Sequence, residues 1–301
     1  ISSMANLTTI ANHREELLQD FYDSRKKAVS AKNTGKAFVF ASESNTSRLD
    51  ALAETLKRQT IEIYKNKKEL KLPKATTSTG DQVTRKNIPA GSLIVPMNQP
   101  LNLLINNILS FDIRLDTKSM EKERKKLMKD QGSTLYDVTA WSLSHAYGTE
   151  SYYTEVMPKI PMIPYKSNRK EGKLIGKNPK YGWAIKSNDD QFYHILARLL
   201  ENDVKIWCAE ETFNLAGEFF PRGSIVIRNN ANQELNKGLL KKLAFDYGLD
   251  IFAVNTALVS SGPDLGSSDF TMLINPRIAI AAGQSISTYS FGATWHLLDS
   301  R

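Results

Sequence analysis

Residues 89–98 read Pro-Ala-Gly-Ser-Leu-Ile-Val-Pro-Met-Asn, and residues 221–230 read Pro-Arg-Gly-Ser-Ile-Val-Ile-Arg-Asn-Asn. Each opens on a turn, because Pro presets φ and the Gly two positions later accepts a positive φ. Each then enters a short β-branched run, Leu93-Ile94-Val95 or Ile225-Val226-Ile227, that reads as a strand. A helix pattern follows both. Asn98 is the candidate N-cap of the first, with Pro100 in its first turn before Leu101, Leu104, Ile105 and Ile108. Asn230 or Asn232 is the candidate cap of the second, which carries Leu235, Leu239 and Leu243 and ends at Gly248.

The likeness extends upstream. Ala37-Phe38-Val39-Phe40 reads as a strand, followed by Asn45, Thr46 and Ser47 as caps and by Leu49, Leu52, Ala53 and Leu56 at helical spacing. Ile61-Glu62-Ile63-Tyr64 is the next strand. The later copy reads Trp183-Ala184-Ile185, caps from Ser187 to Asp190, then Phe192, Ile195, Leu196 and Leu199, then Val204-Lys205-Ile206-Trp207. The recurring order of strand, helix, strand, turn-strand and helix is the signature of an internal duplication. The alternative is two unrelated α/β units that share common turn chemistry.

Global numbers narrow the class. A length of 301 residues suggests about two domains, and 41% hydrophobic residues suffice for ordinary cores. No apolar run approaches the roughly 20 residues that span a bilayer, and no signal-peptide layout is visible. Cys208 stands alone, which excludes an internal disulfide and a cysteine metal cluster. The net charge of +8 raises the question of nucleic acid. The densest stretch, Glu121 to Asp130, mixes both signs and interleaves no aromatic residue, so it reads as a solvated helix face and no nucleic-acid partner is expected.

In chain order, residues 1–35 read as a connector helix, with Ile10, Leu17, Leu18, Phe21 and Val29 near one side. It either connects to something upstream or docks on the sheet. Residues 36–115 form the first α/β repeat, in which basic Lys65 to Lys74 and then Ala75 to Gly80 read as a turn and loop region containing a hairpin. Residues 116–180 form a helical insertion and linker: a charged helix over Thr117 to Asp130, a stretch in which Tyr136, Trp141 and Leu143 are buried, and an irregular Pro-rich segment from 158. Residues 181–254 form the second repeat and 255–275 a polar linker. Residues 276–301 start a third unit, with a strand at Arg277 to Ala281 and a helix from Phe291 to Leu298.

Several of these stretches resemble one family. They are Pro89 to Pro96, Tyr136-Asp137-Val138-Thr139-Ala140-Trp141-Ser142-Leu143, Asp264-Leu265-Gly266-Ser267, and Pro276-Arg277-Ile278-Ala279 before Ser290-Phe291-Gly292 and Trp295-His296. Essentially the whole chain resembles the region after the catalytic domain in large secreted bacterial proteins of the zinc carboxypeptidase (carboxypeptidase A) superfamily. The resemblance implies an upstream peptidase domain that holds zinc. It also implies a downstream flavodoxin-like unit related in fold to class I glutamine amidotransferases, and a secreted or periplasmic location.

The chemistry of such a peptidase was then sought in this chain. It needs a His-x-x-Glu pair, a distant third His, an Arg and a Glu general base. The only local match is His13-Arg14-Glu15-Glu16. The family's pair lies at a strand end beside a Gly, whereas this one lies inside a helix pattern, so His13 and Glu16 are weak metal candidates. His145, His194 and His296 have no acidic partner at ligand spacing, and His194 reads as a core residue. No Gly-x-Ser-x-Gly elbow, dinucleotide fingerprint or Walker pattern is present. Cys208 reads as structural. Gly283 to Ser290, with Gly283, Ser285, Ser287 and Ser290, follows a candidate strand and precedes a helix. It is a weak anion-binding candidate against a plain strand-to-helix connection.

The expected protein is therefore α/β: two duplicated strand-helix-strand-strand-helix units, a helical insertion, and the start of a flavodoxin-like third unit. The expected role is a non-catalytic accessory region without a cofactor of its own, inactive alone. The alternatives are a module that binds a small ligand, peptide or glycan, and an amidotransferase-like or hydrolase unit.

Overall fold

The computed structural model describes residues 2–43, 45–112, 117–129, 131–132, 142–167 and 171–299. The chain is a mixed α/β protein that divides into two compact units. The first comprises Ile1–Arg169 with Asn188–Asp190, and the second Lys170–Ser187 with Gln191–Arg301. No helix among the described residues is long and apolar enough to cross a membrane.

The first unit runs α1 (Ser2–Asn12), α2 (Arg14–Ala28), β1 (Ala37–Phe40), α3 (Thr46–Arg58), β2 (Tyr64–Asn66), β3 (Leu70–Thr77), β4 (Gln82–Ile88), β5 (Leu93–Pro96), α4 (Asn102–Leu109), α5 (Thr117–Leu127), α6 (Leu143–Ala146), β6 (Ser151–Thr154) and β7 (Met162–Pro164). Its sheet has the order β4-β3-β6-β1-β5-β2-β7. Successive strand residues point to opposite faces. Phe38, Phe40, Leu93 and Val95 therefore meet Leu49, Leu52, Leu56 and Ile105 of the helices on one face. Val39 and Ile94 meet Leu70, Leu72 and Ile88 of the β3–β4 hairpin on the other.

The second unit runs β8 (Leu174–Ile175), β9 (Gly182–Ile185), α7 (Gln191–Glu201), β10 (Trp207–Ala209), β11 (Phe213–Leu215), β12 (Glu218–Phe220), β13 (Ile225–Arg228), α8 (Lys237–Tyr247), β14 (Ile251–Val254), β15 (Phe270–Met272) and α9 (Thr288–Asp299). The larger sheet has the order β15-β10-β13-β9-β14-β8, and β11–β12 is a separate hairpin. Trp183, Ile185, Ile225 and Ile227 pack on Phe192, Ile195, Leu199 and Leu240.

The two units follow one pairing plan. In the first, β1 pairs antiparallel with β5 from Ala37↔Pro96 to Phe40↔Leu93, and with β6 from Ala37↔Thr154 to Phe40↔Ser151. In the second, β9 pairs antiparallel with β13 from Gly182↔Arg228 to Ile185↔Ile225, and with β14 from Gly182↔Val254 to Ile185↔Ile251. The Pro-x-Gly-Ser turns hold equivalent places. Gly91 N–H donates to Asn66 O, and Gly223 N–H to Ala209 O. Ser92 Oγ donates to Pro89 O at 2.8 Å, and Ser224 Oγ to Pro221 O at 2.6 Å. Each of those hydroxyls also accepts a backbone N–H, from Ser42 or from Ser187.

Several local expectations need correction. Asn98 does not cap a helix. The chain first turns through Asn102 N–H to Gln99 O, and α4 begins at Asn102 with Leu101 before it. Asn232 is engaged by the backbone of Lys205 and Arg228, so Asn236 caps α8 instead, accepting from Gly238 N–H. Asn45 does cap α3, accepting from Arg48 N–H, and Gly248 ends α8 in the left-handed region.

The strands expected at 61–64 and 204–207 start later, at Tyr64 and Trp207. Glu62 N–H and C=O pair with the Gln99 side chain rather than with a neighbouring strand. The segments 158–180 and 255–275, expected as linkers, contain β7, β8 and β15. Residues 277–281 form no strand and are almost all exposed. The long first helix is broken at His13 into α1 and α2, and Ile10, Leu17, Leu18 and Phe21 are exposed. The stretch 136–141 lies outside the described residues, with Trp141 in it.

Candidate functional site

His13 lies in the break between α1 and α2, and its Nδ1 is 3.0 Å from Glu16 Oε2. Both side chains are more than half exposed. Among the described residues no group of three His, Cys, Asp or Glu side chains is placed to hold a metal. The other histidines are dispersed. His145 Nε2 is 3.3 Å from Phe111 O, and His296 is exposed on α9. His194 is half-buried rather than core, and it stacks on Tyr247 with ring centroids 5.6 Å apart. Burial pushes the Cys208 thiol up, with the nearby Glu210 charge adding to it, which holds it in the unreactive protonated form.

Gly283, Ser285, Ser287 and Ser290 are exposed, and no strand leads into them. Ser287 Oγ accepts from Ser290 N–H at 3.4 Å at the start of α9. These residues form an open helix entry rather than a strand-to-helix cradle.

The structure brings together a polar group that the sequence did not single out. Lys86 on β4 donates from Nζ to Glu150 Oε1 at 2.8 Å, and the Tyr152 hydroxyl donates to the same oxygen. Lys86 Nζ also stands over the Tyr152 ring, 5.4 Å from its centroid. Burial alone would raise the Glu150 carboxyl, but the bonds from Lys86 and Tyr152 outweigh it and hold it below the usual range. Beside it, burial and the Glu150 charge push Glu43 up. A raised and a lowered carboxyl side by side is the pattern of an acid–base pair.

The second unit bears on that reading. Ile88 and Phe220 each stand four residues before the turn serine, so Lys86 on β4 corresponds to Glu218 on β12. Val39 pairs with Tyr152 and Ala184 with Phe252, so those two rings also correspond. Lys186 Nζ donates to Glu218 at 2.6 Å and stands 5.0 Å from the Phe252 ring centroid. An ion pair over an aromatic ring thus recurs with the hairpin charge reversed, although Lys186 holds the place of Ala41 and the counterpart of Glu150 is Asp250. What the two versions share is attachment of the hairpin to the sheet, which needs no particular reactive group.

Also in the first unit, Asn188–Asp190 supplies Asp190, which takes Arg48 in a bidentate pair at 2.6 and 2.8 Å. The Arg48 bonds, set against burial, hold the Asp190 carboxyl below the usual range. This is a geometry that fixes position.

A groove lies on the sheet face of the first unit opposite its helices. β6 and β7 are separated in the sheet by β1, β5 and β2, so residues 155–161 must cross those strands. Met157 N–H donates to Gly35 O at 2.7 Å, and Met157 and Ile160 pack on the Val39 and Ile94 cluster. Pro158 and Pro161 have no N–H to bond the sheet. Beside the strap lies a cavity of about 830 Å³, whose lining includes Tyr64, Met157, Pro161 and Met162. Lys36, Glu62, Asn98 and Lys159 stand along it. The Met-Pro-Lys-Ile-Pro spacing was the available signal in the sequence, but a Pro-rich segment alone reads as a linker.

No family model, curated protein or solved structure matches this chain.

Proposed function

We propose that this chain is a non-catalytic accessory region of a secreted or periplasmic zinc carboxypeptidase-like protein, that its two units are copies of one ancestral segment, and that it packs on a peptidase domain or shapes access to it. The resemblance along the sequence motivates the family. The observation that carries the packing role is the exposure of apolar side chains on helices. α9 has no buried residue, and Trp295, Leu297 and Leu298 lie on it exposed. Leu7, Ile10, Leu18 and Phe21 of α1 and α2 are likewise exposed. Exposed apolar side chains grouped on a helix are what a covering protein surface would bury. The covering partners on this reading are the peptidase and flavodoxin-like domains of the same polypeptide, and the zinc belongs to the peptidase.

The test is calorimetric titration of residues 1–301 with a purified catalytic domain of the resembled family. The reading predicts saturable binding that a Trp295→Asp, Leu298→Asp variant weakens at least tenfold, about 1.4 kcal/mol. Both positions are exposed, so the fold tolerates the change. Absence of binding by the unaltered chain would overturn the accessory role.

A further inference from the structure

We propose that the groove of the first unit is a binding site for a small molecule with an apolar body and a carboxylate end. This goes beyond the accessory reading and does not depend on it. A cavity of about 830 Å³ falls within the range of ligand pockets, roughly 300–1,000 Å³. The strap carries Pro158 and Pro161, which cannot bond the sheet. Contact with Met157, Ile160, Pro161 and Met162 suits an aliphatic or aromatic body that water solvates poorly.

The charges along the groove decide the other end of the ligand. Two cations, Lys36 and Lys159, and one carboxylate, Glu62, line it, with the Glu155 carboxylate beside Lys36. Glu62 Oε2 already accepts from the Tyr64 hydroxyl at 3.1 Å. Lys36 Nζ lies 3.9 Å from Glu155 Oε1, at the limit of an ion pair, and the Glu155 side chain is 69% exposed. Such a pair is weak and yields to a better acceptor. Lys159 is exposed at the rim. A ligand carboxylate entering beside an apolar floor replaces that weak contact with charge-assisted bonds. An ammonium at the rim beside Lys159 would meet a like charge instead.

The test is calorimetric titration of the full chain with 4-phenylbutyrate, 4-phenylbutyramide and 4-phenylbutylamine at millimolar concentration. The expected order is carboxylate well ahead of amide, with no binding of the amine. Lys159→Gln should weaken the carboxylate by about tenfold and leave the amide unchanged, the fold-change of one lost charge-assisted bond. Met162→Trp fills the rim and should abolish binding of both, with the melting temperature of each variant measured to show that the fold is intact. No heat with any of the three probes, or equal binding of carboxylate and amine, would overturn the proposal. So would binding that survives Met162→Trp.

Discussion

Gln99 and Asn232 differ in length by one methylene and make the same three backbone bonds. Gln99 accepts from Glu62 N–H at 2.8 Å and donates to Glu62 O at 3.1 Å and Pro96 O at 2.7 Å. Asn232 accepts from Lys205 N–H at 2.8 Å and donates to Lys205 O and Arg228 O, both at 2.9 Å. In each unit this one amide stands in for the ladder partner that the segment before β2 or β10 lacks. Gln99 is almost fully buried, so Gln99→Leu leaves a backbone N–H and C=O unpaired inside the protein. The expected loss is about 1–3 kcal/mol for each group so stranded. Asn232→Leu should cost less, because water reaches that site. Urea unfolding of the two variants measures the difference, and an equal or reversed cost would contradict the assignment.

Gly91 and Gly223 sit at φ +85° and +88°, where L side chains are strained. A Cβ on Gly223 would also stand 3.4 Å from Ser187 Oγ, and one on Gly91 3.6 Å from Ser42 Oγ. Gly91→Ala and Gly223→Ala should each lose about 1–2 kcal/mol from the left-handed backbone alone. Denaturant midpoints decide this, and unchanged midpoints would show that the turns relax without strain.

The ion pair of the first unit has a pH signature. The Glu150 carboxyl is lowered from its ordinary 4.5 in the folded chain. The stability that this contributes is present above pH 4.5 and is lost as pH falls through the lowered value. Glu43 is raised from the same 4.5, so its contribution has the opposite sign, present below pH 4.5 and lost as pH rises through the raised value. Glu43→Gln should therefore raise the melting temperature at neutral pH and leave it nearly unchanged near pH 4. A lower neutral melting temperature for this variant would count against repulsion between the two carboxyls.

The reversed hairpin charge in the second unit, Glu218 where the first has Lys86, gives a sharper test. If attachment of the hairpin is all that the pair does, Lys86→Glu with Glu150→Lys should recover most of the stability that either change alone removes. A double variant as unstable as the sum of the single ones would contradict this, because coupled neighbours deviate from additivity.

The central strands and the two turns were legible because local chemistry dictates them. Pro89, Gly91 and Ser92 fix a turn wherever they occur, and Leu93 to Val95 has only one good use. The edge strands were not legible. β7, β8 and β15 have two or three residues each and lie in polar or Pro-rich stretches, where pairing is set by tertiary position rather than by pattern. The reverse failure is Arg277 to Ala281, whose apolar content suggests a strand but which has no partner strand among the described residues. Helix starts moved for a related reason: Asn98 and Asn232 are good caps in isolation, but local turn geometry and backbone partners from elsewhere in the fold engage the residues around them first. Of the candidate residues, only the His13–Glu16 proximity was readable, since residues three apart at a helix start are neighbours. The groove arises from strand order, which no single stretch encodes.

The most direct measurement for the accessory reading is zinc content together with release of C-terminal amino acids from peptides by purified residues 1–301 in added zinc. The account predicts substoichiometric zinc and no release above background, with His13→Ala indistinguishable from the unaltered chain. Stoichiometric zinc that is lost in His13→Ala, accompanied by turnover, would contradict it and make His13 and Glu16 ligands of a working site.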